Sequence, residues 1–143
     1  MPWLLSNKQS IKENFEKAEI NLATRAAKAL YTALGLRGGV HIDISKAIPF
    51  GAGLAGGSSD AAAVLRAIVD KLIYEKDNHQ SVPMRELMQI INRISEDLGS
   101  DIKYMLSGGL AQVKGTGEQI RRIALPDIKQ LGVILILPES GTS

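Results

Sequence analysis

Pro49-Phe50-Gly51-Ala52-Gly53-Leu54-Ala55-Gly56-Gly57-Ser58-Ser59-Asp60-Ala61-Ala62-Ala63 is the stretch on which the reading of this chain turns. Four glycines stand directly before a run that reads as a helix. Glycine lets the backbone turn tightly and leaves its N–H groups open to a close ligand. The first turn of a helix carries unpaired N–H donors and a partial positive charge. Together they make an anion site, most naturally for phosphate. Ser58 and Ser59 add hydroxyls that suit phosphate oxygens or a water on Mg²⁺. The plainer reading makes Ser58 or Ser59 an N-cap and the glycines a flexible turn. The density of glycine between a strand and a helix weighs against it.

Upstream of the loop, residues 40–45 (Val-His-Ile-Asp-Ile-Ser) alternate apolar and polar, which predicts a half-buried strand with one wet face. Residues 20–31 precede it as a helix, with Leu22, Ala26, Ala29 and Leu30 on one face and Arg25 and Lys28 outside. Gly35 stops that helix, and Gly38-Gly39 makes a turn. Residues 10–17 are a charged lead-in.

Downstream, residues 58–75 read as a largely apolar helix through Ala61, Ala62, Val64, Leu65, Ile68, Val69, Leu72 and Ile73. Arg66 and Asp70, and Lys71 and Glu75, suit its exposed side. Pro83 opens a further helix over residues 84–98, in which Met84, Leu87 and Met88 read as packing residues. Gly99-Ser100-Asp101 and a short apolar piece follow, then Ser107-Gly108-Gly109. Two strands flank Gly115-Thr116-Gly117, over residues 110–114 and 119–123. Residues 131–137 are continuously apolar and predict a buried strand. The organisation is α+β, with helices and antiparallel strands.

Composition narrows the chemistry. The 143 residues make one domain by size, and 45% are hydrophobic, enough for a sizeable core. The chain has no cysteine, which excludes disulfides, thiolate chemistry and cysteine-ligated zinc. Two histidines cannot make a histidine-rich metal centre. A net charge of +2, with 4% aromatic residues, gives no electrostatic or stacking signal for nucleic acid. No apolar run approaches a membrane span, and the first residues lack a signal-peptide pattern. The expectation is a soluble protein of a reducing compartment, with no nucleic-acid or membrane partner.

Three phosphate loops compete for the glycines. Gly51-x-x-x-x-Gly56-Gly57-Ser58 approaches the P-loop pattern, but Gly57 stands where the phosphate-binding lysine must be. Gly51-x-Gly53-x-x-Gly56 matches the dinucleotide fingerprint. A dinucleotide fold, however, opens on a strand buried on both faces, and residues 40–45 alternate.

The third option is a resemblance. Pro-x-Gly-Ala-Gly-Leu-x-Gly-Gly-Ser-Ser-Asp-Ala-Ala resembles the phosphate loop of the GHMP small-molecule kinases. Asn21-Leu22-Ala23-Thr24-Arg25-Ala26-Ala27, Leu98-Gly99-Ser100-Asp101, Ser107-Gly108-Gly109, Gly115-x-Gly117-Glu118 and residues 138–142 fall in the family's order. The likeness covers about residues 20–142. The loop's ending most resembles the branch that phosphorylates a cytidine diphosphate derivative in the non-mevalonate isoprenoid pathway.

The resemblance implies a ribosomal protein S5 domain 2-like α+β fold, with ATP and Mg²⁺ as cofactors. It places ATP phosphates on Gly51, Gly53, Leu54, Ala55, Gly56, Gly57, Ser58 and Ser59. It makes Asp101 the base on the substrate hydroxyl, the small-molecule partner being the cytidine diphosphate derivative. Read without the family, an aspartate after Gly-Ser is a turn or cap residue. The resemblance implies a cytoplasmic protein, or a stromal one in a plastid.

Three departures from the family pattern stand out. The family's opening strand, with a lysine that assists the aspartate, has no match here, and Lys8, Lys12 and Lys17 lie in other contexts. Lys103 replaces a family proline two residues after the aspartate, and a solvated lysine is the plain reading of it. The family's second domain also finds no match, so residues 1–143 read as an incomplete ATP-binding domain. Three functions remain open at this point. They are an alcohol kinase, a catalytically silent nucleotide-binding remnant, and a fragment of a dinucleotide-binding oxidoreductase. His41 with Asp43 reads as a wet strand face, and His79 as surface.

Overall fold

The computed structural model describes residues 21–48, 52–74, 82–124 and 132–136. Among the described residues four helices run in order: α1 (Leu22–Ala33), α2 (Gly56–Tyr74), α3 (Met84–Leu98) and α4 (Ser100–Ser107). A hairpin of β1 (Ala111–Lys114) and β2 (Gln119–Arg122) follows. The lead-in at residues 10–17, His79 and Glu75 lie outside the described residues.

Local chemistry sets the boundaries. Asn21 caps α1, its side-chain oxygen accepting from the Ala23 amide at 2.9 Å. The helix closes in a Schellman motif, with the Leu36 amide donating to Tyr31 O and the Gly35 amide to Thr32 O. On α1, Ala26 and Leu30 are buried while Arg25 and Lys28 face solvent, as the spacing requires.

Helix α1 packs on α2 and α3, and α4 packs on α2 and α3. The core lies where the four meet, around Leu30, Leu65 and Ile102, all fully buried. Burying each such side chain stabilises the fold by roughly 1.5–3 kcal/mol. Among the described residues Ser95 is the one buried polar residue of this core, its hydroxyl donates to Ile91 O at 2.7 Å, and no buried side-chain polar atom lacks a partner. Arg66 belongs to no i, i+4 pair on the surface. It donates to Leu106 O at 2.6 Å and ties α2 to α4.

The hairpin is antiparallel, pairing Ala111 with Arg122 and Lys114 with Gln119. It is fastened to the end of α4, where Arg122 donates to Ser107 O at 2.7 Å.

Several expectations fail. Residues 40–45 keep their alternation, with Ile42 and Ile44 half-buried and His41 and Asp43 exposed, yet they form no strand. A strand is a pairing, and among the described residues only β1 and β2 pair. Residues 132–136 are likewise no strand and are not buried: Ile134 is 90% and Ile136 89% exposed. Met84 and Met88 are about half exposed, and only Leu87 of that trio enters the core. Leu72 and Ile73, near the end of α2, also emerge. The piece after Gly99 is a regular helix, α4, which the sequence left undefined.

Candidate functional site

The glycine loop delivers the chain into α2. Gly51 lies outside the described residues; Gly53, Leu54, Ala55, Gly56, Gly57, Ser58 and Ser59 lie within them. Gly53 has φ +68 and Ala55 φ +53, so the backbone turns left-handed twice before the helix begins. The first helical bond runs from the Ser59 amide to Ala55 O at 2.9 Å. Ser58 and Ser59 therefore sit inside the first turn, not at the N-cap. Ser59 donates back to Gly56 O at 2.8 Å, and the half-buried Ser58 hydroxyl has no hydrogen bond among the described residues. Among the described residues no side chain caps α2. Among the described residues nothing accepts from the amides of Gly56, Gly57 or Ser58. Three N–H donors and the positive end of a 19-residue helix thus converge without a protein partner.

Packing leaves little room for a side chain at Gly56. A Cβ on Gly56 would lie 3.0 Å from Ile48 Cγ2 and 3.2 Å from Ile48 Cβ. Gly57 has ordinary room, with Leu22 Cδ1 at 3.5 Å.

Sequence reasoning missed Lys46. It forms an ion pair with Asp60, in the first turns of α2, and each side chain is about three-quarters buried. The pair pins the incoming segment to α2 and closes the intervening loop. The signal was present. Lys46 shares the inward parity of Ile42 and Ile44, and a cation at an inward position needs an acid.

Asp101 is the second residue of α4 and is exposed. Its Oδ1 takes a 3.5 Å contact from its neighbour's Ser100 hydroxyl, and it bonds no backbone amide. It therefore caps nothing. Lys103 does not face it. Lys103 pairs with Glu96 of α3 at 3.0 Å, so the cation beside Asp101 in sequence is engaged elsewhere. Asp101 and the glycine loop stand on two helices that pack together, and no hydrogen bond joins them.

A cleft of about 310 Å³ opens between α3, the start of α4 and the hairpin turn, bounded by Ser100, Lys103, Thr116 and Glu118 among others; Asp101 is not in its lining. In it, Glu118 Oε2 accepts from the Thr116 amide at 2.7 Å and from the Thr116 hydroxyl at 3.0 Å. Its own backbone amide, then these two donors, hold the Glu118 carboxyl below its ordinary value. A larger cleft of about 490 Å³ lies between α1 and α3, lined by Arg25, Ala29, Ile90, Arg93 and Leu98 among others. It contains neither the glycine loop nor Asp101. Size is the weaker guide here: α3 and α4 also begin without a side-chain cap, but only α2 is entered through two left-handed residues, Gly53 and Ala55. Among the described residues no cluster of three acidic or histidine side chains could hold a metal, and no helix is long and apolar enough to cross a membrane.

Residues 21–109 match the GHMP kinases N terminal domain. Among curated proteins, the chain is 38% identical over 123 residues to a 4-diphosphocytidyl-2-C-methyl-D-erythritol kinase of Desulfitobacterium hafniense (strain Y51), covering 86% of this chain and 38% of that protein. It is 41% identical over 123 residues to the protein of the same name from Polaromonas sp. (strain JS666 / ATCC BAA-500), covering 86% of this chain and 36% of the relative. A third of that name, from Prosthecochloris aestuarii (strain DSM 271 / SK 413), is 43% identical over 106 residues, or 73% of this chain and 34% of its own. The chain thus spans under two fifths of the length of these three relatives. No solved structure matches it.

Proposed function

Because the chain belongs to the GHMP kinases, we propose that it carries the ATP-phosphate site for phosphorylation of a hydroxyl of 4-diphosphocytidyl-2-C-methyl-D-erythritol, a step of non-mevalonate isoprenoid synthesis. The observation that carries the reading is the uncapped first turn of α2, with its free amides at Gly56, Gly57 and Ser58. Those donors, with the loop from Gly51 through Gly53, Leu54 and Ala55, fit phosphate oxygens. The Ser58 and Ser59 hydroxyls keep lone pairs for a hydrated Mg²⁺. Mg²⁺, arriving with the nucleotide, would supply charge neutralisation between the phosphates.

In this mechanism the amides orient the terminal phosphate and stabilise the charge on its oxygens. Asp101 accepts the proton of the substrate hydroxyl as its oxygen bonds to phosphorus and the bond to ADP breaks. Asp101 is exposed and uncommitted to any cap, which leaves its carboxylate free for that task. The relatives are longer, so turnover is proposed for the whole protein of which these residues form the nucleotide part. The family match sets aside the dinucleotide-binding oxidoreductase.

One observation favours a second reading, nucleotide binding without turnover: among the described residues no cation faces Asp101. An amide NMR titration with Mg-ATP tests the shared premise. Shifts over residues 53–59 are expected, and their absence at millimolar nucleotide refutes both readings. An ADP-release assay with the named substrate then separates them. In the kinase reading Asp101→Asn lowers turnover on the order of 10²–10⁴-fold and leaves nucleotide affinity unchanged.

A further inference from the structure

We propose that Gly117, in the turn between β1 and β2, is a positioning residue for Asp101: its bare Cα seats against Ser100 and fixes where α4 begins. The inference deepens the kinase reading and rests on it for the role of Asp101.

Gly117 is buried, in a hairpin whose other turn residues are exposed. It has φ +115, a conformation that L side chains rarely adopt. A Cβ there would collide with Ser100 Cβ and stand 3.0 Å from both Ser100 Cα and Ser100 O. Two of those three atoms are backbone, so no rotamer change relieves the overlap. Ser100 is the first residue of α4 and Asp101 the second. Moving the Ser100 backbone moves the Asp101 carboxylate through one peptide link.

The turn is stiff enough to act as a seat. Glu118 ties down both the amide and the hydroxyl of Thr116, and the Gly117 amide donates to Lys114 O at 3.3 Å. A Cβ on Gly115 would collide with the Glu118 carboxylate, so that side chain is folded over the turn. The hairpin also holds the far end of the helix, where Arg122 donates to Ser107 O. One hairpin thus clamps α4 at its first residue and its last. Ile102, fully buried, fixes the rotation of the helix between those points. Among the described residues the one side-chain hydrogen bond to Asp101 is the long 3.5 Å contact from Ser100 Oγ, too weak to place the carboxylate. Its position is inherited from the clamp.

The test is carbon and amide NMR of the chain, reading the Asp101 carboxyl signal directly. Gly117→Ala is expected to shift that signal and the amides of Ser100 and Ile102, while amides of residues 53–59 stay in place. Removing the Ser100 side chain relieves only the Cβ collision, so Gly117→Ala with Ser100→Gly returns the signal part of the way. Where Gly117→Ala does not fold, Glu118→Gln loosens the same turn without a clash, and the same signals move. An Asp101 signal that stays at its parent position in a folded variant overturns the proposal. So does a double variant shifted as far as Gly117→Ala alone. The Mg-ATP titration of the parent is a separate readout: its failure removes the kinase reading, whereas an unmoved Asp101 signal removes only the clamp.

Discussion

Replacing Ala55 by glycine stabilises the protein, although glycine is ordinarily the more costly residue. Ala55 has φ +53, where its Cβ crowds the following carbonyl. That conformation costs an L residue about 1–2 kcal/mol. Glycine removes the crowding but gives the unfolded chain more freedom, worth about 0.4–1 kcal/mol in the opposite direction. The balance is a gain of about 0.5–1 kcal/mol. With a urea slope of roughly 1–3 kcal/mol per molar, the unfolding midpoint rises by roughly 0.2–1 M and the slope stays constant. Gly53, at φ +68, supplies the mirror image: Gly53→Ala lowers the midpoint by a similar amount. Equilibrium urea unfolding followed by circular dichroism reads both. A midpoint that falls in Ala55→Gly, or fails to fall in Gly53→Ala, refutes the left-handed double turn. In the proposed reading the nucleotide phosphates rest on that turn, so Gly53→Ala also weakens Mg-ATP binding in the amide titration.

Lys46→Met strands Asp60 in a partly buried site and lowers stability by about 1 kcal/mol, read as a urea midpoint shift. The exposed pair is the control: Lys103→Met changes stability by less than about 0.5 kcal/mol. Glu118 sets an acid dependence. Its folded-state pKa lies below the ordinary 4.5, so its contribution is full above that pH and is lost as pH falls through the folded value. Stability of the parent below pH 4.5 therefore declines more steeply than that of Glu118→Gln, as thermal melts across that range would show.

The helices were legible because their signals are local. The spacing of Ala26 and Leu30, Asn21 as a cap, Gly35 as a stop and Pro83 before α3 all act within a turn or two. Residues 84–98 came out at the very bounds of α3. The loop was legible for the same reason, since glycines before a helix start state their geometry in one dimension. Its supports were not. Ile48 against Gly56, and Lys46 with Asp60, are tertiary pairs that glycine spacing cannot express. The role given to Ser58 and Ser59 in the plainer reading failed because the helix begins before them: Ala55 O takes the first helical bond, from Ser59, and both serines lie within the first turn.

The strands show the other side of that argument. Residues 40–45 and 132–136 carry sequence patterns of opposite kinds, one alternating and one continuously apolar, and both were read as strands. The alternation holds in space, with Ile42 and Ile44 turned inward and Lys46 following them to its ion pair. Apolar pattern therefore sets which face of an extended segment meets the core. It does not set pairing, because a ladder needs a second backbone at hydrogen-bond distance. Residues 119–122 find one across a tight turn, since Gly115 and Gly117 bring β2 back on β1 within four residues. Residues 132–136 find none among the described residues and stay exposed. Hairpin pairing is local and so was readable from Gly-Thr-Gly. Pairing between distant segments is not, and it is there that both strand expectations failed, while the helix bounds held better than the exposure of Met84, Met88, Leu72 and Ile73.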